Sequence, residues 1–94
     1  MQEIICRHLF IRGKVQGVYY RASAQHAAIA RGLTGWVRNR RDGSVEAVVN
    51  GPLAAVQAFI EWAYQGPPEA RVDDVEIQDS SESDHQGFEF RATL

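Results

Sequence analysis

A strand-like run that breaks at a glycine turn and passes at once into an alanine-rich stretch constrains this chain more than any other feature. Ile4 to Ile11 is rich in β-branched and aromatic residues, and both of its faces are partly apolar, which predicts a central strand. Gly13-Lys14-Val15-Gln16-Gly17-Val18-Tyr19-Tyr20-Arg21 follows, and from Arg21 to Arg31 the alanines Ala22, Ala24, Ala27, Ala28 and Ala30 favour a helix that stops at Gly32. A strand turning sharply into a helix aims free backbone N–H groups outward, where the helix dipole adds positive charge. Arg21 brings a planar charged fork suited to phosphate oxygens, so the turn has the makings of an anion cradle. A cation in the first turn opposes the dipole by roughly 0.3 to 1 kcal/mol at an exposed site, so something should compensate it. A bound anion would do so; a swing into water or a carboxylate partner would serve as well. Gly13 and Gly17 can equally be present only to permit positive φ, and their spacing is not that of the nucleotide-binding G-x-x-x-x-G-K-[ST] loop.

The remaining punctuation sets the order of elements. Thr34 to Arg40 and Ser44 to Asn50 read as strands joined by a turn at Asp42-Gly43. Period two puts Gly35, Val37 and Asn39 on one face, Trp36 and Arg38 on the other. Leu53, Val56, Phe59, Ile60 and Ala63 recur at helical spacing, predicting an amphipathic helix from Pro52 to Tyr64 that Gly66-Pro67-Pro68 stops. Val72, Val75 and Ile77 predict a fourth strand, Asp79 to Asp84 a polar loop, and Phe88 and Phe90 a short last strand. The order β-α-β-β-α-β plus a C-terminal strand predicts an α+β, ferredoxin-like split β-α-β sandwich. Both helices should cover one face of an antiparallel sheet.

At 94 residues the chain is expected to form a single domain, 1–94, with one core. No apolar run approaches the roughly 20 residues that span a membrane, and Met1 to His8 meets charge too early for a signal peptide, which predicts a cytoplasmic location. The single cysteine, Cys6, reads as a small buried residue rather than a nucleophile. His8, His26 and His85 lack metal-site spacing, so neither a metal nor another cofactor is expected. A net charge of −2 argues against nucleic-acid binding. The local cluster Arg38, Arg40 and Arg41 suggests steering of a small anion, or else a solvated hairpin end.

Asn39, near the end of its strand, is on its own a common turn residue. Its carboxamide can also accept from and donate to one water, which suits it to orienting a neutral nucleophile if its strand lies beside the one entering the glycine turn.

Taken together, Gly13 to Arg21 and Gly35-Trp36-Val37-Arg38-Asn39-Arg40-Arg41-Asp42-Gly43-Ser44-Val45-Glu46 resemble the two signatures of acylphosphatases. Element order, Gly51 and the Gly66-Pro67-Pro68-Glu69-Ala70 segment extend the resemblance over nearly the whole chain. One position departs, because Tyr20 stands where the family usually has phenylalanine or methionine. A buried hydroxyl there needs a partner or costs on the order of 1 to 3 kcal/mol. The resemblance implies metal-independent hydrolysis of a carboxyl–phosphate anhydride to a carboxylate and inorganic phosphate. Arg21 and Asn39 would be catalytic, and Val15, Gln16, Gly17, Val18, Tyr19 and Tyr20 would form the phosphate-binding loop. The expected partners are small-molecule acyl phosphates and phosphate, with no nucleic acid or membrane, and the expected state is a monomer. Two alternatives share the fold: a non-catalytic anion-binding module, which needs Arg21 but not Asn39, and an RNA-binding domain, for which Trp36 is the strong stacking candidate.

Overall fold

A computed structural model describes residues 3–82 and 86–94. Its elements are β1 (Ile4–Lys14), α1 (Tyr20–Ala30), β2 (Thr34–Asn39), β3 (Val45–Pro52), α2 (Leu53–Gln65), β4 (Arg71–Asp79) and β5 (Phe88–Phe90). The five strands form one sheet in the order β4-β1-β3-β2-β5. β1 is an interior strand, as its two apolar faces require, but β3 is the central one. The β1–β3, β1–β4 and β2–β3 pairs are antiparallel. β5 instead pairs parallel to β2, with Phe90 opposite Val37, so the sheet is mixed rather than wholly antiparallel. The polar stretch predicted from Asp79 to Asp84 lies partly, and His85 wholly, outside the described residues.

Odd-numbered residues of β1 to β3 face the helices. Leu9, Ile11, Val37, Val45, Ala47 and Val49 meet Ala24, Ala27 and Ala28 of α1 and Val56, Phe59 and Ala63 of α2 in one core. The small alanines let α1 approach the sheet closely.

Tyr20 joins the start of α1 to the end of α2. It is almost fully buried, and its hydroxyl donates to the carbonyl of Ala63 at 2.7 Å. That carbonyl is in the last turn of α2, where no intrahelical N–H is left to serve it. The hydroxyl that departs from the family pattern is therefore satisfied, and burial pushes its pKa well above the ordinary phenol value. Tyr20→Phe is expected to cost about 1 kcal/mol, read as a fall of about 4–8 °C in Tm by thermal unfolding.

The opposite face of the sheet carries a buried carboxylate. Glu46 is 3% exposed and accepts from Arg38 Nε at 2.6 Å, from Arg40 Nη1 at 3.0 Å and from the His8 ring at 2.6 Å. Burial alone would push its carboxyl up, but the hydrogen bonds from Arg38, His8 and Arg40 together outweigh it and hold the pKa below the usual value. A carboxyl whose folded pKa is lowered contributes stability that is complete above the ordinary glutamate value of about 4.3 and is lost as pH falls through the folded value. Glu46→Gln is expected to cost roughly 2 kcal/mol near neutral pH, because two arginines lose their counter-charge. The gap between wild type and variant in urea midpoint should narrow steadily below about pH 4. A constant gap down to pH 2 would contradict the assignment.

Candidate active site

Between Arg12 and Gly13 the register of β1 against β4 shifts by a bulge. Gly13 adopts φ 133, and a Cβ there would lie 2.1 Å from the carbonyl oxygen of Arg71, so only glycine lets the strand pass β4 at this point. The chain then leaves the sheet as a loop whose two valines, Val15 and Val18, are buried in the core. Gly17 at φ 77 and Tyr19 at φ 66 are both left-handed, and the turn they make brings the backbone round into α1. The side chain of Gln16 fastens this loop from outside. Its Nε2 donates to the carbonyls of Arg40 at 2.7 Å and Ser44 at 2.8 Å, tying the loop to the hairpin between β2 and β3.

α1 begins without a capping side chain and without an acidic residue in its first turn. The N–H of Ser23 donates to the carbonyl of Tyr19, whereas the N–H groups from Gln16 to Ala22 reach no carbonyl among the described residues. A set of unsatisfied donors thus converges at the positive end of a helix, an arrangement suited to an anion.

These donors border a cleft of about 480 Å³. It is lined by Val15, Gln16, Gly17, Tyr19 and Tyr20 of the predicted loop, together with Arg21, Ala22, Asn39 and Phe90. Val18 of the predicted set turns its side chain into the core instead and acts as an anchor. The Arg21 guanidinium lies over the Phe90 ring, 5.7 Å from its centroid, and has no carboxylate partner among the described residues. Its opposition to the helix dipole is therefore not relieved by a side chain.

Asn39 is the last residue of β2 and faces the helices with Val37. Its strand is not beside β1, because β3 lies between them. Asn39 reaches the cleft across that intervening strand, at the end of the sheet where the Gln16 side chain holds the loop against the hairpin. The backbone of Asn39 is braced on its outer side by the C-terminal residue: Leu94 N–H donates to the Asn39 carbonyl at 3.2 Å, and Arg41 N–H to that of Leu94 at 2.9 Å. Its carboxamide oxygen Oδ1 is buried and, among the described residues, has no hydrogen-bond partner. Leaving a buried acceptor without a partner costs about 1 to 3 kcal/mol.

The arginine cluster does not gather at the cleft. Arg38 and Arg40 are spent on Glu46 across the sheet, Arg38 also lying over Trp36 and Arg40 over Phe10, while Arg41 is exposed and outside the cleft lining. Steering of an anion by this cluster is thereby replaced by neutralisation of one buried carboxylate. Cys6 is buried, and burial raises its thiol pKa, so it lacks the thiolate character of a nucleophile. His8 is held by Glu46 and His26 is exposed on α1. Among the described residues no group of three or more His, Cys, Asp and Glu is arranged to hold a metal ion.

Ala22 and Phe90 are the cleft residues that sequence reasoning missed. The Phe88/Phe90 alternation marks a short strand, but only the parallel register on β2, with Phe90 opposite Val37 and so two residues short of Asn39, brings Phe90 against Arg21.

The family model described as Acylphosphatase matches residues 7–90. An acylphosphatase of Acidovorax sp. (strain JS42) is 57% identical over 90 residues, covering 96% of this chain and 93% of that protein. The solved structure of an acylphosphatase from Coxiella burnetii superposes with a TM-score of 0.90 at 38% identity, covering 94% of this chain and 93% of that one. The acylphosphatase from Bacillus subtilis gives a TM-score of 0.89 at 36% identity, covering 95% and 99%.

Proposed function

The chain belongs to the acylphosphatase family, hydrolases of the carboxyl–phosphate bond, and from that premise we propose that the cleft at the start of α1 is where the reaction occurs. The phosphoryl group of a small-molecule acyl phosphate is held by the free N–H groups between Gln16 and Tyr20 and by the Arg21 guanidinium. The Asn39 carboxamide orients a water so that the water's lone pair faces phosphorus, opposite the acyl oxygen. The observation that carries this reading is that Asn39 lines the same cleft as Arg21 and the unpaired backbone donors.

The chemistry asks little more. Water's oxygen bonds to phosphorus, the bond from phosphorus to the acyl oxygen breaks, and the carboxylate leaves with the electron pair. The proton from water passes to a phosphoryl oxygen. Because the carboxylate is a good leaving group and the transition state is loose, no strong general base is needed until late. The work left to the protein is positioning and stabilisation of negative charge, which donors fixed by the fold supply without reorganising. Turnover is accordingly expected to persist in excess chelator. A binding module would gain from Arg21 but has no use for a water-orienting carboxamide on Asn39.

The proposal extends to residues 1–94 acting as one domain, monomeric and cytoplasmic, with no nucleic-acid partner. Among the described residues no helix is long and apolar enough to cross a membrane. Trp36, the stacking candidate, is 2% exposed and covered by Arg38 and Arg91, which leaves no open platform for a base.

Hydrolysis of benzoyl phosphate in ¹⁸O-labelled water tests the direction of attack. The label is expected in inorganic phosphate. Label in benzoate would mean attack at the carbonyl carbon, and the placement of water by Asn39 would be wrong.

A further inference from the structure

Two large apolar side chains stand in the open where the cleft is. Tyr19 is 79% exposed and Phe90 48% exposed, and both line the cleft that holds Arg21 and Asn39. Tyr19 is, among the described residues, the one non-glycine residue at positive φ, an uncommon conformation for a bulky side chain. Its ring gains no burial in return, and strain kept without a packing gain collects at functional sites. Phe90 differs in the same way from its strand neighbour Phe88, which is buried.

The charge of the cleft adds a second, independent constraint. Among its lining residues Arg21 is the one charged side chain, enough for a phosphoryl group and no more. A second anionic group on the substrate would meet aromatic rings and no counter-charge, and would lose hydration without replacing it. A flat apolar group would cover the two rings at little cost.

Resting on the hydrolase reading above, we propose that Tyr19 and Phe90 are the acyl-side walls of the site. They select acyl phosphates whose acyl end is flat, apolar and uncharged over those whose acyl end is short or carries a second negative charge. The phosphoryl group sits on the N–H donors and Arg21, and the acyl group leaves along the side bounded by the two rings.

The test is kcat/KM for benzoyl, acetyl and succinyl phosphate in the wild type, Phe90→Ala, Phe90→Leu and Tyr19→Asn. Asparagine is chosen because it tolerates the left-handed conformation. Circular dichroism checks that each variant is folded. The wild type should favour benzoyl phosphate, with succinyl phosphate the poorest. The benzoyl-to-acetyl ratio should fall about tenfold in Phe90→Ala and Tyr19→Asn, and less in Phe90→Leu, as expected for a lost apolar contact in a specificity pocket. The ratio is the readout because a general loss of folding or of phosphate binding leaves it unmoved. Unchanged ratios, or parallel losses on benzoyl and acetyl phosphate, overturn the proposal and leave the hydrolase reading standing. A wild type that turns over none of the three overturns both.

Discussion

Arg21→Ala is expected to lower kcat/KM for benzoyl phosphate by about 10³-fold or more, the scale on which an arginine meeting developing phosphoryl charge acts. The loss should appear in both KM and kcat, because the guanidinium meets the phosphoryl oxygens before as well as during the reaction. Inorganic phosphate should weaken as an inhibitor in parallel. The side chain is placed for this: it rises from the first turn of α1, lies over Phe90 and has no carboxylate to hold it elsewhere among the described residues. Removing it should not harm the fold, since a cation opposing the helix dipole is lost; thermal unfolding should show an unchanged or slightly raised Tm. Arg21→Lys should recover only part of the activity, because an ammonium keeps the charge but not the fork that grips two oxygens. Retention of full activity in Arg21→Ala would remove the cradle from the mechanism.

Asn39→Ala should separate binding from chemistry. In the proposed mechanism the carboxamide holds the water and not the phosphoryl group, so kcat is expected to fall about 10²–10³-fold while the inhibition constant for phosphate stays within a few-fold. Asn39→Asp sharpens the point. It keeps the shape and the acceptor but adds a negative charge next to an anion, so phosphate inhibition should weaken as well. The alanine variant removes the empty buried acceptor and should be neutral or slightly favourable to stability. A stabilised but nearly inactive variant is the signature of a group kept for chemistry. Equal losses in kcat and in phosphate affinity would instead make Asn39 part of the anion site.

Much of this was legible in the sequence, and what was not has a common physical cause. Glycines, prolines and hydrophobic periods act locally, so the seven elements, the loop and the turn at Asp42-Gly43 could be read from neighbours in the chain. Strand order and register depend on contacts between residues far apart. Hence β3 lies between β1 and β2 although the role considered for Asn39 was conditional on direct adjacency, and β5 runs parallel to β2 although an antiparallel sheet was expected. Arg38 and Arg40 follow the same logic. In sequence they are a basic cluster beside a turn, and only the pairing of Arg38 with Glu46 across β2 and β3 shows where their charge goes. The hydroxyl of Tyr20 was flagged as needing a partner, but that partner is a carbonyl on the other helix, which no local signal names. Arg21 and Asn39, picked out by residue type and by the family resemblance, line one cleft, and Gln16 was expected in the loop, but the hydrogen bonds by which Gln16 fastens that loop and the place of Phe90 against Arg21 come from geometry and had no local signal.

The most direct measurement of the central claim is a titration of ¹⁵N-labelled protein with inorganic phosphate, followed by the backbone amide signals. The account predicts saturable shifts concentrated from Gln16 to Ala22 and at the Arg21 side chain, with the hairpin residues Asp42 to Ser44 shifting less and all shifts lost in Arg21→Ala. Shifts centred instead on Arg12, Gly13 and the Asp42-Gly43 turn, which border a second, smaller hollow, would contradict the account and move the anion site out of the cleft.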